Sequence, residues 1–406
     1  MGVYEELGVK RIINAHNDMT NLGGSLMPPE VVEAWVAASQ SFVNMHELHW
    51  AAGQAAAKLV GAQMGLVTGG AAAAMVTAAA ACIVKRNNLT DPDEMRARLP
   101  HSEGLANELP LPRSHRNGYA QAFQVAGGRL VEFGQPDGFT DADLEKVLGA
   151  RTVAVAFILS SGRTGTQQDV GSLGHVCEIA HRHRLPVIVD AAGELPPRRH
   201  IAEIIATDVD LICFSGGKDI HGPNDTGFLF GRRELLEIAH GQLICPHHQV
   251  VRAMKATKED VVAAVAALKR YMALDEAARY AKWEATVQRW VAALSDLPHV
   301  QAEQEWPREG EWHSQGWPRL RVTLDEQALG CTAQQIVQAL AAGDPPIYVP
   351  GVRMPGYADL RGRPSFTVVP SHVQDDEVEI VAARLRQLFT HPPRTWRGIC
   401  GVSRPR

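Results

Sequence analysis

The chain has 406 residues, 45% of them hydrophobic and 21% charged, with a formal net charge of −5. That balance suits a globular chain long enough for two domains, and its dispersed Lys and Arg lack the clustered basic excess of a nucleic-acid binder. Six cysteines (Cys82, Cys177, Cys213, Cys245, Cys331, Cys400) form no C-x-x-C pair. This argues against a disulfide framework or zinc site and for single buried or half-buried thiols.

The opening MGVYEELGVKRIINAH is mixed in charge and has no apolar signal region. The most apolar stretch, 65–84, is mainly alanine interrupted by a glycine pair, which reads as a strand end and a buried helix, not a membrane span. The expectation is a cytoplasmic protein with neither a membrane nor a nucleic acid as partner.

In chain order, 1–26 reads as an ordered arm, 28–40 as a helix entered through prolines, and 47–60 as a second helix. MGLVTGG then AAAAMVTAAAACIV gives strand, glycine turn and helix. RLVEFG is a strand, 141–148 a helix, and TVAVAFILSSG an apolar run of the kind found in a parallel sheet covered on both faces. GSLGHVCEIAHRHR is helical, LPVIVDAAG a strand, IAEIIAT a short helix, VDLICFSGGK a strand, and GFLFGR closes the region. The alternation predicts an α/β domain with a mainly parallel sheet. Beyond it, 258–294 reads as one long helix or two joined ones. Strands PRLRVTL and SFTVVP then alternate with helices at 332–342 and 375–388, a smaller α+β domain. A loop covers 304–318, and the tail after 392 reads as irregular. The domain expectation is therefore 1–45 for the arm and helix, 46–256 for the large domain, and 257–406 for the linking helix and small domain.

Three successive strands end in Ser160-Ser161-Gly162-Arg163, in Asp190, and in Ser215-Gly216-Gly217-Lys218. Ligands of open α/β sheets bind outside those strand ends. A carboxylate and a lysine 28 positions apart can therefore face one crevice through a single crossover. Pyridoxal 5′-phosphate (PLP) needs such a pair: an amine for its aldehyde and an aspartate opposite its pyridine nitrogen. Thr68-Gly69-Gly70-Ala71, at a strand-to-helix turn, suits the phosphate, because helix N–H groups and dipole stabilise an anion. Ser215 offers a second hydroxyl. The bland alternative is a surface lysine in a turn, an aspartate capping a helix, and a glycine pair needed only for packing.

These residues carry a family resemblance. RIINAHNDMTNLGGS (11–25), VTGGAAAA (67–74), SHRNGYAQAFQVAGGRLVEFG (114–134), VIVDAAGELPP (187–197), FSGGKDIHGPNDTGFLFGR (214–232) and GDPPI (343–347) together span nearly the whole chain. It resembles the SelA-like branch of fold type I PLP-dependent enzymes, which includes selenocysteine synthase and the D-glucosaminate-6-phosphate ammonia-lyase type. The resemblance implies Lys218 as Schiff-base lysine, Asp190 as pyridinium partner, residues 69–72 as phosphate loop, and His115 near the ring. It also implies a homodimer or higher oligomer with shared active sites. Departures fall where substrate would bind: His16-Asn17 replaces a serine-glycine-like pair, His221 stands where arginine is expected, and the arginine expected soon after GDPPI arrives only as Arg353.

Cofactor contacts are thus expected from Lys218, Asp190, Thr68, Gly69, Gly70, Ala71, Ser215, His115 and Ser161. Substrate contacts are expected from His16, Asn17, Arg116, His221 and Arg353. Each has a plainer alternative: a histidine bonded to the backbone, and for Arg116 an exposed salt bridge. Cys245-Pro246-His247-His248 resembles a metal site only superficially, so no metal is expected. The tryptophans Trp283, Trp290, Trp306, Trp312 and Trp317 read as core or loop packing. The reaction expected is α-proton abstraction from a small amino acid, followed by loss of a β-substituent to leave a keto acid and ammonia. A racemase or epimerase, or an aldolase, would share the first step, and an aminoacyl-tRNA-dependent transferase is a rival of another class.

Overall fold

In a computed structural model, residues 2–159, 170–244, 249–306, 316–354, 359–360 and 362–391 are described. The central sheet grows from aliphatic runs, and its five hydrogen-bonded strands have no exposed position. Its strands are β1 (Met64–Thr68), β2 (Glu108–Pro112), β3 (Arg129–Phe133), β4 (Val155–Ile158), β5 (Val187–Asp190), β6 (Leu211–Ser215) and β7 (Gly227–Gly231). Five of them hydrogen-bond in the order β1-β7-β6-β5-β4, with β4, β5 and β6 parallel and β7 antiparallel to both neighbours. The parallel pair β2-β3 continues the sheet, because Glu108 bonds through its backbone to Arg151 and Val153 just before β4. Strands β1, β4, β5 and β6 thus end on one edge.

Side chains alternate across this sheet with the period of two that an extended chain imposes. Val67, Val155, Phe157, Val187, Val189, Ile212 and Phe214 enter one core cluster, whereas Leu66, Ala156, Ile158, Ile188, Leu211 and Cys213 enter the other. Helix Ala71–Arg86 covers the second face with alanines, which allow close approach to the strands. Helices Val170–Arg182 and Lys258–Ala273 serve the first.

The described residues form two compact units, a large one from Gly23 to Leu274 and a small one from residues 2–22, 275–306 and 316 onward. The boundaries differ from the expectation drawn at 45/46 and 256/257. Helix Lys258–Ala273 buries Val261, Ala264 and Leu268 in the same core as Val31 of helix Pro29–Ser39, which draws both into the large unit. The stretch read as one helix or two is two: Leu274 is extended, and Asp275 caps helix Glu276–Leu294 by accepting the Ala278 N–H.

The small unit holds an antiparallel sheet of Val300–Glu305, Arg319–Leu324 and Ser365–Val368, with Arg319–Leu324 in the middle. Helices Ala333–Ala341 and Val378–Thr390 lie near their expected places. Trp290 is fully buried there and donates from Nε1 to Val378 O at 3.0 Å, Trp283 and Trp317 are buried, and Trp306 is exposed. Trp312 and the tail after 392 lie outside the described residues. Among those described, no helix is long and apolar enough to cross a membrane.

Candidate active site

Four turns at the carboxyl edge of the sheet in the large unit bring most of the expected residues together. At the end of β1, the Thr68 hydroxyl donates to Gly70 O at 2.9 Å. Gly70 then opens helix Ala71–Arg86 with φ +97°, and no side chain caps the first turn. A helix without a cap has N–H groups to offer an anion, and its dipole favours negative charge there. Packing also needs these glycines: a Cβ on Gly69 would overlap the Met254 carbonyl oxygen, and one on Gly227 would overlap Gly70. The packing and phosphate readings of this turn are compatible.

At the end of β5, Asp190 lies in register with Ile158 on one side and Cys213 on the other, and is only 6% exposed. Its Oδ1 accepts the Ala192 N–H at 3.0 Å. Burial raises its pKa above the usual carboxylate value, while the Ala192 N–H and the charge of Lys218 work the other way. A carboxylate held in so dry a place favours a cationic partner.

Beyond β6, the chain from Gly216 to Thr226 folds onto itself with Lys218 at its crown. Gly216 N–H donates to Thr226 O (2.9 Å), Gly222 N–H to Gly216 O (2.8 Å) and His221 N–H to Lys218 O (2.9 Å). Side chains at Gly216 or Gly217 would overlap Thr226 or Asn224, so the loop can close this tightly only with glycine at both. The lysine amine reaches over the neighbouring turn: a Cβ placed on Gly193 would lie 3.9 Å from Nζ. Lys218 and Asp190 therefore converge on one crevice floored by small residues.

At the end of β2, His115 is almost wholly buried, edge-on to Phe157 with centroids 4.4 Å apart. Its Nδ1 accepts the Ile158 N–H at 3.2 Å, which puts the proton of the neutral ring on Nε2. Because Ile158 pairs with Asp190, the imidazole belongs to the same edge of the sheet.

Other expectations fare differently. Arg116 Nε lies 3.3 Å from Glu132 with both side chains over a third exposed, which is the salt bridge of the plainer reading. His221 commits Nδ1–H to Leu26 O at 3.0 Å. His16, Asn17 and Arg353 belong to the small unit. There the Asn14 side chain accepts the His16 N–H, His16 Nδ1 lies 2.9 Å from Asn17 Oδ1, and burial pulls the His16 pKa down to about 4 despite that bond. Arg353 lies 3.5 Å from Asp359. Ser161 and the stretch 245–248 lie outside the described residues. Sequence reasoning missed Ser25, Asn224 and Thr226, which shape the lysine loop; the Gly-Gly before Ser25 was the available signal.

The donor set fits PLP: a primary amine for the aldehyde, a buried carboxylate for the ring nitrogen, and a helix N-terminus behind an open glycine for the phosphate. Comparison with known proteins points the same way. The Aminotransferase class-V family model matches residues 118–304. D-glucosaminate-6-phosphate ammonia lyase of Salmonella typhimurium is 29% identical over 96% of this chain and 98% of that protein. A 5'-C-glycyluridine monooxygenase-decarboxylase of a Streptomyces species is 29% identical over 95% of this chain and 92% of its own length. A solved structure of D-glucosaminate-6-phosphate ammonia-lyase superposes with a TM-score of 0.81, covering 96% of this chain and 99% of that one at 29% identity.

Proposed function

We propose that this chain, whose fold is that of fold type I PLP-dependent enzymes, is a lyase that removes a β-substituent and ammonia from a small amino acid, leaving a 2-keto acid. One observation carries the reading: the Lys218 amine reaches over Gly193, 3.9 Å from where a Cβ there would lie, near enough to the buried Asp190 carboxyl for its charge to act there. Bound PLP supplies an aldehyde that takes up amines and a pyridinium ring that withdraws electrons from the α-carbon.

The chain's own groups do the rest. Asp190 would hold a proton on the ring nitrogen through its carboxylate, and the uncapped first turn of helix Ala71–Arg86, with Thr68 and Ser215, would hold the phosphate. His115, whose Nδ1 is taken by the Ile158 N–H, would offer Nε2–H as a donor near the ring. Lys218 would hold the cofactor through its amine and, once that amine is free, would accept the substrate's α-proton at Nζ. Loss of that proton and of the β-substituent with its bonding pair, followed by hydrolysis, would leave the 2-keto acid and ammonia. The dry surroundings of Asp190 and His115 would keep bulk water away from the reacting α-carbon.

His16, Asn17 and Arg353 are proposed to set the substrate, so the cofactor residues match the lyase-type pattern while the substrate residues depart from it. The curated relative's name specifies a phosphorylated amino sugar acid; this chain shares its reaction class in our reading, with a smaller amino acid as substrate. A net charge of −5 speaks against a tRNA substrate. The four cysteines among the described residues are buried free thiols, which suit the reducing cytoplasm. Exposed Leu26, Phe42 and Val43 offer apolar surface that a second copy in a homodimer would cover.

The test is a screen of D- and L-amino acids bearing β-leaving groups, followed by keto acid, ammonia and optical rotation, with and without oxygen. Keto acid and ammonia in equal amounts, made equally well without oxygen, are expected. Rotation lost without ammonia would replace the lyase by a racemase. Turnover confined to aerated samples would move the chain toward its oxygen-using relative.

A further inference from the structure

The arm that enters the large unit at Gly23 lies against the loop carrying Lys218. Gly24 is left-handed (φ +72°), and a Cβ there would overlap Asn224 and stand 2.7 Å from Gly217 O. That approach lets buried Ser25 serve one acceptor twice: its N–H and its Oγ–H reach Gly217 O at 3.1 and 3.0 Å. On the other side of the lysine, Lys218 O accepts the His221 N–H at 2.9 Å, and the His221 ring returns to the arm through Leu26 O at 3.0 Å. His221 does this at φ +61°, a conformation costly for a non-glycine residue and therefore held by its surroundings. The carbonyls immediately before and at Lys218 are thus both occupied, and three of the bonds belong to the arm–loop contact.

We propose that Ser25 and His221 are positioning residues for Lys218: the arm 24–26 fixes the backbone on both sides of the lysine and so aims its amine. The proposal rests on Lys218 being the cofactor-binding amine. A lysine has a flexible four-carbon stem, so its Cα direction is what the fold can set; once that is fixed, fewer side-chain rotamers put Nζ in reach of one point. Neither Ser25 nor His221 needs to touch the cofactor for this.

The test uses Ser25→Ala, which removes one of the two donors, His221→Gly, which removes the ring and relieves the positive φ, and the two combined. In the apoprotein, amide exchange of the segment 216–222 should quicken in each. In the PLP-loaded protein, the visible band should titrate at a shifted pH, and kcat should fall about tenfold with KM little changed. His221→Asn, which tolerates a left-handed backbone and offers a side-chain N–H, should recover most of the loss. Wild-type exchange over 216–222 with an unshifted band in the double variant would overturn the proposal. If Ser25→Ala does not fold, His221→Gly, which adds no strain, decides the matter alone. Borohydride reduction and peptide mapping of the wild type separate the two readings. A label on another lysine removes the Lys218 assignment itself, whereas a label on Lys218 with unchanged exchange removes only the positioning role.

Discussion

Two buried aspartates lie at opposite edges of the same sheet. Asp210, just before β6 at the amino edge, is satisfied by protein: the Val187 N–H and His181 Nε2 reach its Oδ2 at 2.8 Å each, and Arg232 Nε reaches Oδ1 at 3.3 Å. Asp190, at the carboxyl end of β5, has the Ala192 N–H and the more distant charge of Lys218, and burial raises its pKa. The residue type and the depth are similar, but the donors differ. A carboxylate surrounded by its own donors staples a sheet; one held dry with few of them is suited to a cationic partner.

Replacing Lys218 by alanine should have the largest effect. The visible band of covalently held PLP should disappear, and keto-acid formation should drop to the blank. Activity at the wild-type level in that variant would break the reading of the whole carboxyl edge.

Asp190→Asn should lower kcat by at least about a hundredfold, because the ring nitrogen loses the charge that holds its proton. Its effect on the empty protein should have the opposite sense. A carboxyl whose folded pKa exceeds its unfolded one binds protons more tightly when folded. Its burden is therefore absent below the unfolded pKa and grows as pH rises toward the folded one. Urea unfolding of the apoproteins between about pH 4 and pH 8 should show the asparagine variant gaining on the wild type as pH rises. PLP should then stabilise the wild type more than the variant.

Asp210→Ala should reverse that pattern. Leaving the Val187 N–H and Arg232 without their acceptor should cost about 2–3 kcal/mol of stability, with kcat of the folded fraction unchanged. A large loss of kcat at unchanged stability would blur the distinction between the two edges. The smallest effect belongs to Arg116→Ala, whose exposed partner Glu132 keeps Arg113 at 3.6 Å. Stability should change by less than about 1 kcal/mol and KM should hold; a steep rise in KM would return Arg116 to the substrate site.

Much of this fold could be read from the chain because aliphatic runs and turn residues act locally. Helix Asp141–Val147, for instance, begins at a Thr140–Asp143 capping box written in four consecutive letters. Strand β2 was missed because ELPLP carries two prolines, which ordinarily demote a strand; here it pairs in parallel with β3. Strand Val300–Glu305 was hidden by its polar letters, since one face of the small antiparallel sheet is only partly covered. In the site, Lys218, Asp190 and the Gly69-Gly70 turn could be found because each stands at the end of a recognisable strand.

The sequence by itself determined the class of fold and the amine–carboxylate pair, since strand period, glycine turns and the 28-position spacing are properties of neighbouring letters and one crossover. Only the tertiary structure decided which aspartate gathers donors from distant segments and which, among the described residues, keeps few. It alone also joined His221 to Leu26 across 195 positions and sent residues 23–45 to the large unit. Those outcomes depend on which donors arrive from distant segments once the sheet is packed, and the order of letters along a chain carries no direct record of such meetings.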